Sequence, residues 1–209
     1  MKIHHLQLGP LRSNCYIAET EPGRCVAVDI GGDSRILIEF LKMKKLTLSK
    51  ILLTHGHFDH INGVRETAEA TGAEVFIHES DAYMLKSSAA SLLDMMSFFS
   101  VFHPVEEYTA VTGDCYINDG DCTFRVLHTP GHSHGSVCYV CEDVIFSGDT
   151  LFCCSIGRTD FPGSDVNAMN GSLRTLYDLE GDYRIYPGHN ETTTLGYERK
   201  SNPYFSQFR

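Results

Sequence analysis

The run Thr54-His55-Gly56-His57-Phe58-Asp59-His60 constrains this chain more than any other stretch, because four metal-capable side chains fall within six residues of one turn. It follows a strand-like run at residues 50–53. A turn after a strand can aim His55 and His57 at one ion, while Asp59 and His60 at the start of a following helix aim at a second ion a few ångströms away. Gly56 lets the backbone bend between the two pairs.

Three later stretches repeat one pattern, a strand end followed by a turn residue and a ligand type: Thr129-Pro130-Gly131-His132, Ser147-Gly148-Asp149-Thr150 and Tyr186-Pro187-Gly188-His189. A polar loop that happens to be rich in histidine would not be accompanied by these. A carboxylate has two oxygens and can bridge two cations, so Asp149 takes the bridging role. His55, His57 and His132 then complete one site and Asp59, His60 and His189 the other, with room for a bridging hydroxide. His and Asp donors suit zinc first, and iron and manganese also.

Ligands at several strand ends require rigid strands whose loops meet at one edge. Strands are expected at residues 3–8, 14–18, 25–29, 50–53, 74–78, 123–128, 136–140, 143–147 and 184–186, and helices from Ser34, Ile61, Asp81, Val166 and Thr194. Hairpins mixed with β-α-β units predict an α/β (α+β) fold, two mixed sheets face to face with helices outside. The 209 residues carry no linker or repeat, so residues 1–209 are read as a single domain.

The net charge of −10 lacks the basic footprint of a nucleic-acid or anionic-membrane binder, so neither partner is expected. No secretory h-region or membrane-length apolar run is present, and a cytoplasmic location is expected. Cys138 and Cys141 form a lone C-x-x-C in a strand-like segment, where positions three apart face opposite sides, so packed thiols are expected rather than a metal knuckle. Adjacent cysteines rarely bridge, and Cys153-Cys154 is read as unreactive in preference to a redox feature.

The H-x-H-x-D-H run, T-P-G-H-S-H-G-S, S-G-D-T-L-F, G-R-T-D and P-G-H occur here in the order seen in the metallo-β-lactamase superfamily, and the chain resembles its glyoxalase II-like hydrolases. The resemblance implies a four-layer αββα sandwich holding a two-metal site at one sheet edge. It also implies that Asp29 braces the histidine loop without reaching metal, and that Arg158 stands where the family places a basic residue contacting substrate; a surface salt bridge is the alternative for Arg158. His134 is either a support for the ligands or a plain loop histidine, and His4, His5, His78, His103 and His128 are read as structural or surface residues.

The reading that follows is a dinuclear hydrolase, a thioesterase cleaving an acyl-thiol such as a hydroxyacylglutathione, with a metal-held hydroxide as nucleophile and Asp59 and Asp149 as catalytic carboxylates. A small-molecule thioester is the partner expected. The chain after His189 resembles the short members of the group. Persulfide dioxygenases, with a single iron and a segment like Gly157 to Phe161, give the alternative enzyme. A binding module without turnover would not need all seven ligands, and β-lactam hydrolysis is disfavoured by the lack of an export signal. The apolar stretch at residues 81–99 is expected to begin as an outer helix. Met95, Met96, Phe98 and Phe99 are expected to wall a substrate pocket or meet another subunit.

Overall fold

The computed structural model describes residues 1–96 and 101–209. Phe98 and Phe99, the expected pocket residues, lie outside the described residues, as does the side chain of Met96.

The strands are β1 (Lys2–Leu8), β2 (Ser13–Glu21), β3 (Arg24–Val28), β4 (Thr47–Leu52), β5 (Glu74–His78), β6 (Thr109–Val111), β7 (Tyr116–Asp119), β8 (Cys122–His128), β9 (Val137–Cys141), β10 (Val144–Gly148), β11 (Leu151–Phe152), β12 (Ser155–Ile156), β13 (Arg184–Pro187) and β14 (Thr193–Thr194). The helices are α1 (Ser34–Lys44), α2 (Phe58–Ile61), α3 (Val64–Thr71), α4 (Val166–Asp178) and α5 (Leu195–Ser201). Among the described residues the strands form one six-stranded sheet in the order β1-β2-β3-β4-β5-β6, another in the order β14-β13-β10-β9-β8-β7, and the ribbon β11-β12.

Alternation along the strands divides the core into three layers of contact. On β3, Cys25 and Ala27 face outward to Leu37 and Leu41 of α1 and Val64 of α3. Val26 and Val28 face inward, where they share a core with Phe124, Tyr139 and Phe146 of the second sheet. The outer face of that second sheet packs Leu127, Ile145 and Ile185 against Met169, Leu173 and Leu176 of α4 and Leu195 of α5. Three apolar interfaces between four layers make the αββα sandwich that the sequence predicts.

Two expected helices differ. The helix expected from Ile61 starts at Val64, because α2 ends at Ile61 and Gly63 intervenes. The helix expected from Asp81 is a 3₁₀ segment, Glu79–Lys86, whose first turn is fixed by the His78 ring accepting from the Ser80 N–H and by Asp81 turning inward. Leu92 and Leu93 bury against Phe58, while Met95, expected in the pocket wall or at another subunit, is exposed. Cys138 and Cys141 lie in different cores on opposite faces of β9, as packed thiols should.

Candidate metal centre

All seven expected ligands meet at one end of the sandwich. The loops after β4, β8, β10 and β13 carry them, and α2 supplies Asp59 and His60. His55, His57 and His132 bring donor atoms within 4.8 Å of one another, as do Asp59, His60 and His189. Six of the seven are buried; His189, with its side chain 22% exposed, lines the way in.

Hydrogen bonds behind the rings decide which nitrogen each histidine presents. Thr54 gives its hydroxyl proton to Asp29 Oδ2 at 2.7 Å, so its oxygen accepts from His55 Nδ1 at 3.1 Å. That leaves His55 Nε2 as a buried lone pair, and it has no partner. His60 Nδ1 donates to Asp29 Oδ2 at 2.8 Å, and its Nε2 faces Asp59 and Asp149 at 3.5 Å each. His132 Nδ1 donates to the Arg158 carbonyl at 2.8 Å, turning Nε2 toward His57 Nδ1 at 2.9 Å.

Asp149 joins the two groups. Its Oδ2 lies 3.5 Å from His132 Nε2 and 3.6 Å from His189 Nε2, and its Oδ1, 3.5 Å from His60 Nε2, is buried without a hydrogen-bond partner. Nitrogens spaced by roughly 3 Å with lone pairs converging, beside carboxylate oxygens lacking donors, are what divalent cations would satisfy. The residues fit two such ions. The electrostatics agree: burial lowers the His60 pKa, but Asp59, Asp149 and Asp29 outweigh it and hold it up at about 10, and that same negative charge would hold a cation in place of the proton. Burial and the neighbouring rings push His57 down to about 3 and His55 well below its ordinary value, so both stay neutral donors.

The frame around the ligands is tight. A Cβ on Gly188 would sit 2.2 Å from Asp149 Oδ1, and one on Gly148, at φ +49°, would sit 2.4 Å from Thr54 Oγ1, so the glycines preceding His189 and Asp149 let backbone pass where no side chain fits. Asn14 donates through Nδ2 to the carbonyls of Pro187 and Asn190, both at 2.9 Å, and Tyr16 donates its hydroxyl to Pro187 at 2.8 Å; β2 thus clasps the His189 loop from the opposite sheet.

Asp29 braces the histidine loop, accepting the Thr54 N–H at 2.8 Å, and it also orients the His60 ring. Its φ of +55° turns the chain at the end of β3. Two functional residues escaped sequence reasoning. Ser13 donates to Asp59 Oδ2 at 3.0 Å, and Asp81, fully buried, accepts from the N–H groups of Gly56 and Gly135 and from Ser133 Oγ, tying the His55 loop to the His132 loop. Neither lies in a patterned stretch that would mark it.

Arg158 splits its functions. Its carbonyl holds His132, whereas its side chain, 61% exposed, pairs with Asp160 at 2.7 Å and lies over the Phe161 ring. Phe161 in turn meets the His57 and His132 rings edge-on. His134 is an exposed loop residue whose carbonyl accepts from His128. His78 and His128 stack on each other, while His4, His5 and His103 bond to Glu19, Asn14 and Glu66, away from the centre.

Residues 8–189 match the Metallo-beta-lactamase superfamily. The chain belongs to that superfamily. As a member it is a metal-dependent hydrolase, and the His and Asp groups above are its candidate metal sites. The chain is 32% identical over 211 residues to a probable metallo-hydrolase of Bacillus subtilis (strain 168), with 100% of this chain and 99% of that one covered. It is 31% identical over 211 residues to the hydroxyacylglutathione hydrolase GloC of Haemophilus influenzae, covering 99% of each.

Among solved superfamily structures, the BLEG-1 B3 metallo-beta-lactamase superposes with a TM-score of 0.90 at 34% identity over 98% of this chain and 100% of that one. TTHA1623, in a di-iron-bound form, gives 0.86 at 35% over 96% and 99%. ETHE1 from Myxococcus xanthus gives 0.78 at 25% over 100% and 89%. Among the described residues, no helix is long and apolar enough to cross a membrane.

Proposed function

We propose that this chain is a dinuclear thioester hydrolase of glyoxalase II type, acting on an acyl-thiol such as a hydroxyacylglutathione. The observation that carries the dinuclear reading is Asp149, whose carboxylate lies between the two three-residue groups with Oδ1 buried and unpartnered. The similarity to a hydroxyacylglutathione hydrolase over nearly the full length of both chains supports the thioester.

Two cations held by these residues would lower the pKa of water and polarise the scissile carbonyl. The chain's own contribution is positional. Burial opposes the charge on Asp59, but His60, His189 and the Ser13 hydroxyl outweigh it and keep the carboxylate ionised well below the ordinary range. Such a group orients an attacking water by accepting its hydrogen bond, and is a weak proton store. Phe161 walls the side of the site next to His57 and His132 and excludes water there. Arg158, on the rim above Phe161, would exchange its exposed partner Asp160 for a carboxylate of the substrate.

The test is a hydrolysis panel containing lactoylglutathione, acyl-thiols on other carriers and a β-lactam, run on samples of measured metal content. Lactoylglutathione hydrolysis with two metals per chain is expected; turnover of the β-lactam alone would overturn the proposal. The segment Gly157 to Phe161 favours a second reading, a single-iron oxidoreductase acting on a persulfide. Oxygen consumption with glutathione persulfide by protein carrying one iron would establish it in place of the first.

A further inference from the structure

The ribbon β11-β12 carries a group of side chains that the centre above does not use. Leu151 pairs with Ile156 and Phe152 with Ser155, so Cys153 and Cys154 are the two residues of the turn. From the sequence they are read as unreactive in preference to a redox feature. Cys153 is half-buried and Cys154 exposed, with Cys154 at φ +54°, a backbone conformation that favours glycine or asparagine. Glu198 of α5 lies beneath them, fully buried. The two sulfurs and a Glu198 oxygen all fall within 4.8 Å of one another.

Glu198 is placed with care. Its Oε1 accepts from Thr193 Oγ1 at 2.6 Å, and its Oε2 accepts from the Cys154 N–H at 2.9 Å and from Asn202 Nδ2 at 2.8 Å. A carboxylate has about four lone-pair positions, so three donors leave one for a further partner. Asn202 also donates to the Ser155 carbonyl at 3.1 Å, which locks the ribbon to the end of α5. The turn is therefore held over the carboxylate by backbone and side-chain bonds, and Cys154 Sγ adds a long contact to the Tyr197 hydroxyl at 3.8 Å.

Among the described residues the hydrogen-bond partners of Glu198 are all neutral donors. Burial, then Glu198 and Cys154, push the Cys153 thiol up to about 11, so Cys153 keeps its proton at neutral pH and is a poor nucleophile. A thiophilic ion would reverse this by taking the sulfurs as thiolates. Metal–sulfur bonds of about 2.3 Å place tetrahedral ligands about 3.8 Å apart, within the span these three atoms reach by side-chain rotation.

We propose that Cys153, Cys154 and Glu198 form a second cation site, separate from the histidine–aspartate centre and selective for divalent ions more thiophilic than Zn²⁺, such as Cd²⁺. Binding forms two metal–sulfur bonds and releases both thiol protons to solvent, with no change of oxidation state. The site joins the ribbon that follows Asp149 to α5. Phe152, the residue before the cysteines, packs its ring 6.1 Å from that of His189, so occupancy would also stiffen the approach to the centre.

The probe is Cd²⁺ added to reduced protein whose histidine–aspartate centre has first been filled with Zn²⁺. Thiolate-to-cadmium charge-transfer absorption should appear and saturate at one equivalent, with two protons released. The centre itself contains no sulfur and cannot give that band. Cys153→Ser/Cys154→Ser, at a solvent-facing turn, should abolish the band and leave hydrolase activity and zinc content unchanged. Glu198→Gln should keep the band but weaken Cd²⁺ binding about tenfold. The absence of a band in the wild-type protein, or its survival in the double serine variant, would overturn the site. Wild-type affinity in a folded Glu198→Gln variant would remove the carboxylate from it.

Discussion

Strand β2 begins with Ser13 against Asp59 and reaches Thr20 against Asp119, so one strand links the metal-facing end of the sandwich to the far end. Both ends bury carboxylates, under different terms. At the far end Asp119 accepts from Thr20 Oγ1 at 2.6 Å and from Arg24 Nη2 at 2.7 Å and Nε at 3.1 Å, which occupies both oxygens. At the metal end Asp149 Oδ1 and His55 Nε2 are buried with nothing to bond. A buried charge with every donor in place closes a fold, whereas one left open costs stability until a ligand arrives.

The largest expected effect follows from removing the open carboxylate. Asp149→Asn should lower hydrolysis by roughly 100- to 1,000-fold, the usual scale for losing an electrostatic stabiliser of the reacting charge, and should reduce metal content. Metal-free Asp149→Asn should melt close to the metal-free wild type, because the lost attraction to His60 offsets the relief of a buried oxygen without a partner. Normal turnover with two metals, or a large loss of metal-free stability, would erase the distinction between the ends.

Asp29 tests the boundary between the two kinds of carboxylate, since it is buried at the metal end but fully engaged with Thr54 and His60. Asp29→Asn cannot accept equally well from both, and metal affinity should fall about 10- to 100-fold, as is usual for the outer partner of a ligating histidine. Competition with a chelator would measure this. Unchanged affinity would show that the His60 ring needs no such brace.

Asp119 gives the smallest and purely structural effect. Asp119→Asn should cost about 2 kcal/mol, less than the roughly 3–5 kcal/mol of a fully buried broken pair, because the Arg24 side chain is 40% exposed and solvent screens it. That corresponds to a drop of about 4–8 °C in Tm, with activity per bound metal unchanged. Burial raises the Asp119 pKa, but bonds from Arg24, Thr20 and Ser49 outweigh it and lower it overall. A depressed folded-state pKa stabilises above the unfolded value of about 3.9 and loses that contribution as pH falls through the folded value. The stability gap between wild type and Asp119→Asn should therefore be constant above about pH 5 and close in stronger acid. A gap that widens in acid would contradict the pairing.

What could be seen in the sequence was whatever the chain spells locally. Five of the seven expected ligands stand beside glycines after strand ends, Asp59 and His60 follow on α2, and alternating apolar runs mark the strands that carry the loops. The 3₁₀ segment at Glu79–Lys86 was misread as an α-helix because its apolar content gives no sign that Asp81 turns inward. The short strand β6 and the half-exposed β7 carry too few buried residues to register as alternation. Ser13, Asp81 and Glu198 act across sequence distances of 46, 52 and 44 residues, on partners that only the folded chain brings close. Cys153 and Cys154 were visible as a pair, but the buried carboxylate beneath them was not.

The clasp of Asn14 and Tyr16 on Pro187 has a consequence for biosynthesis. A ribosome delivers the chain from the amino terminus, so β2 waits through the whole of the first sheet and most of the second before its partner emerges. Six of the seven expected ligands are made by Asp149, and the seventh follows only after β13. The group of His55, His57, His132 and Asp149 is thus made before His189, so between β10 and β13 a nascent chain would offer a passing ion one complete set of donors and one incomplete set.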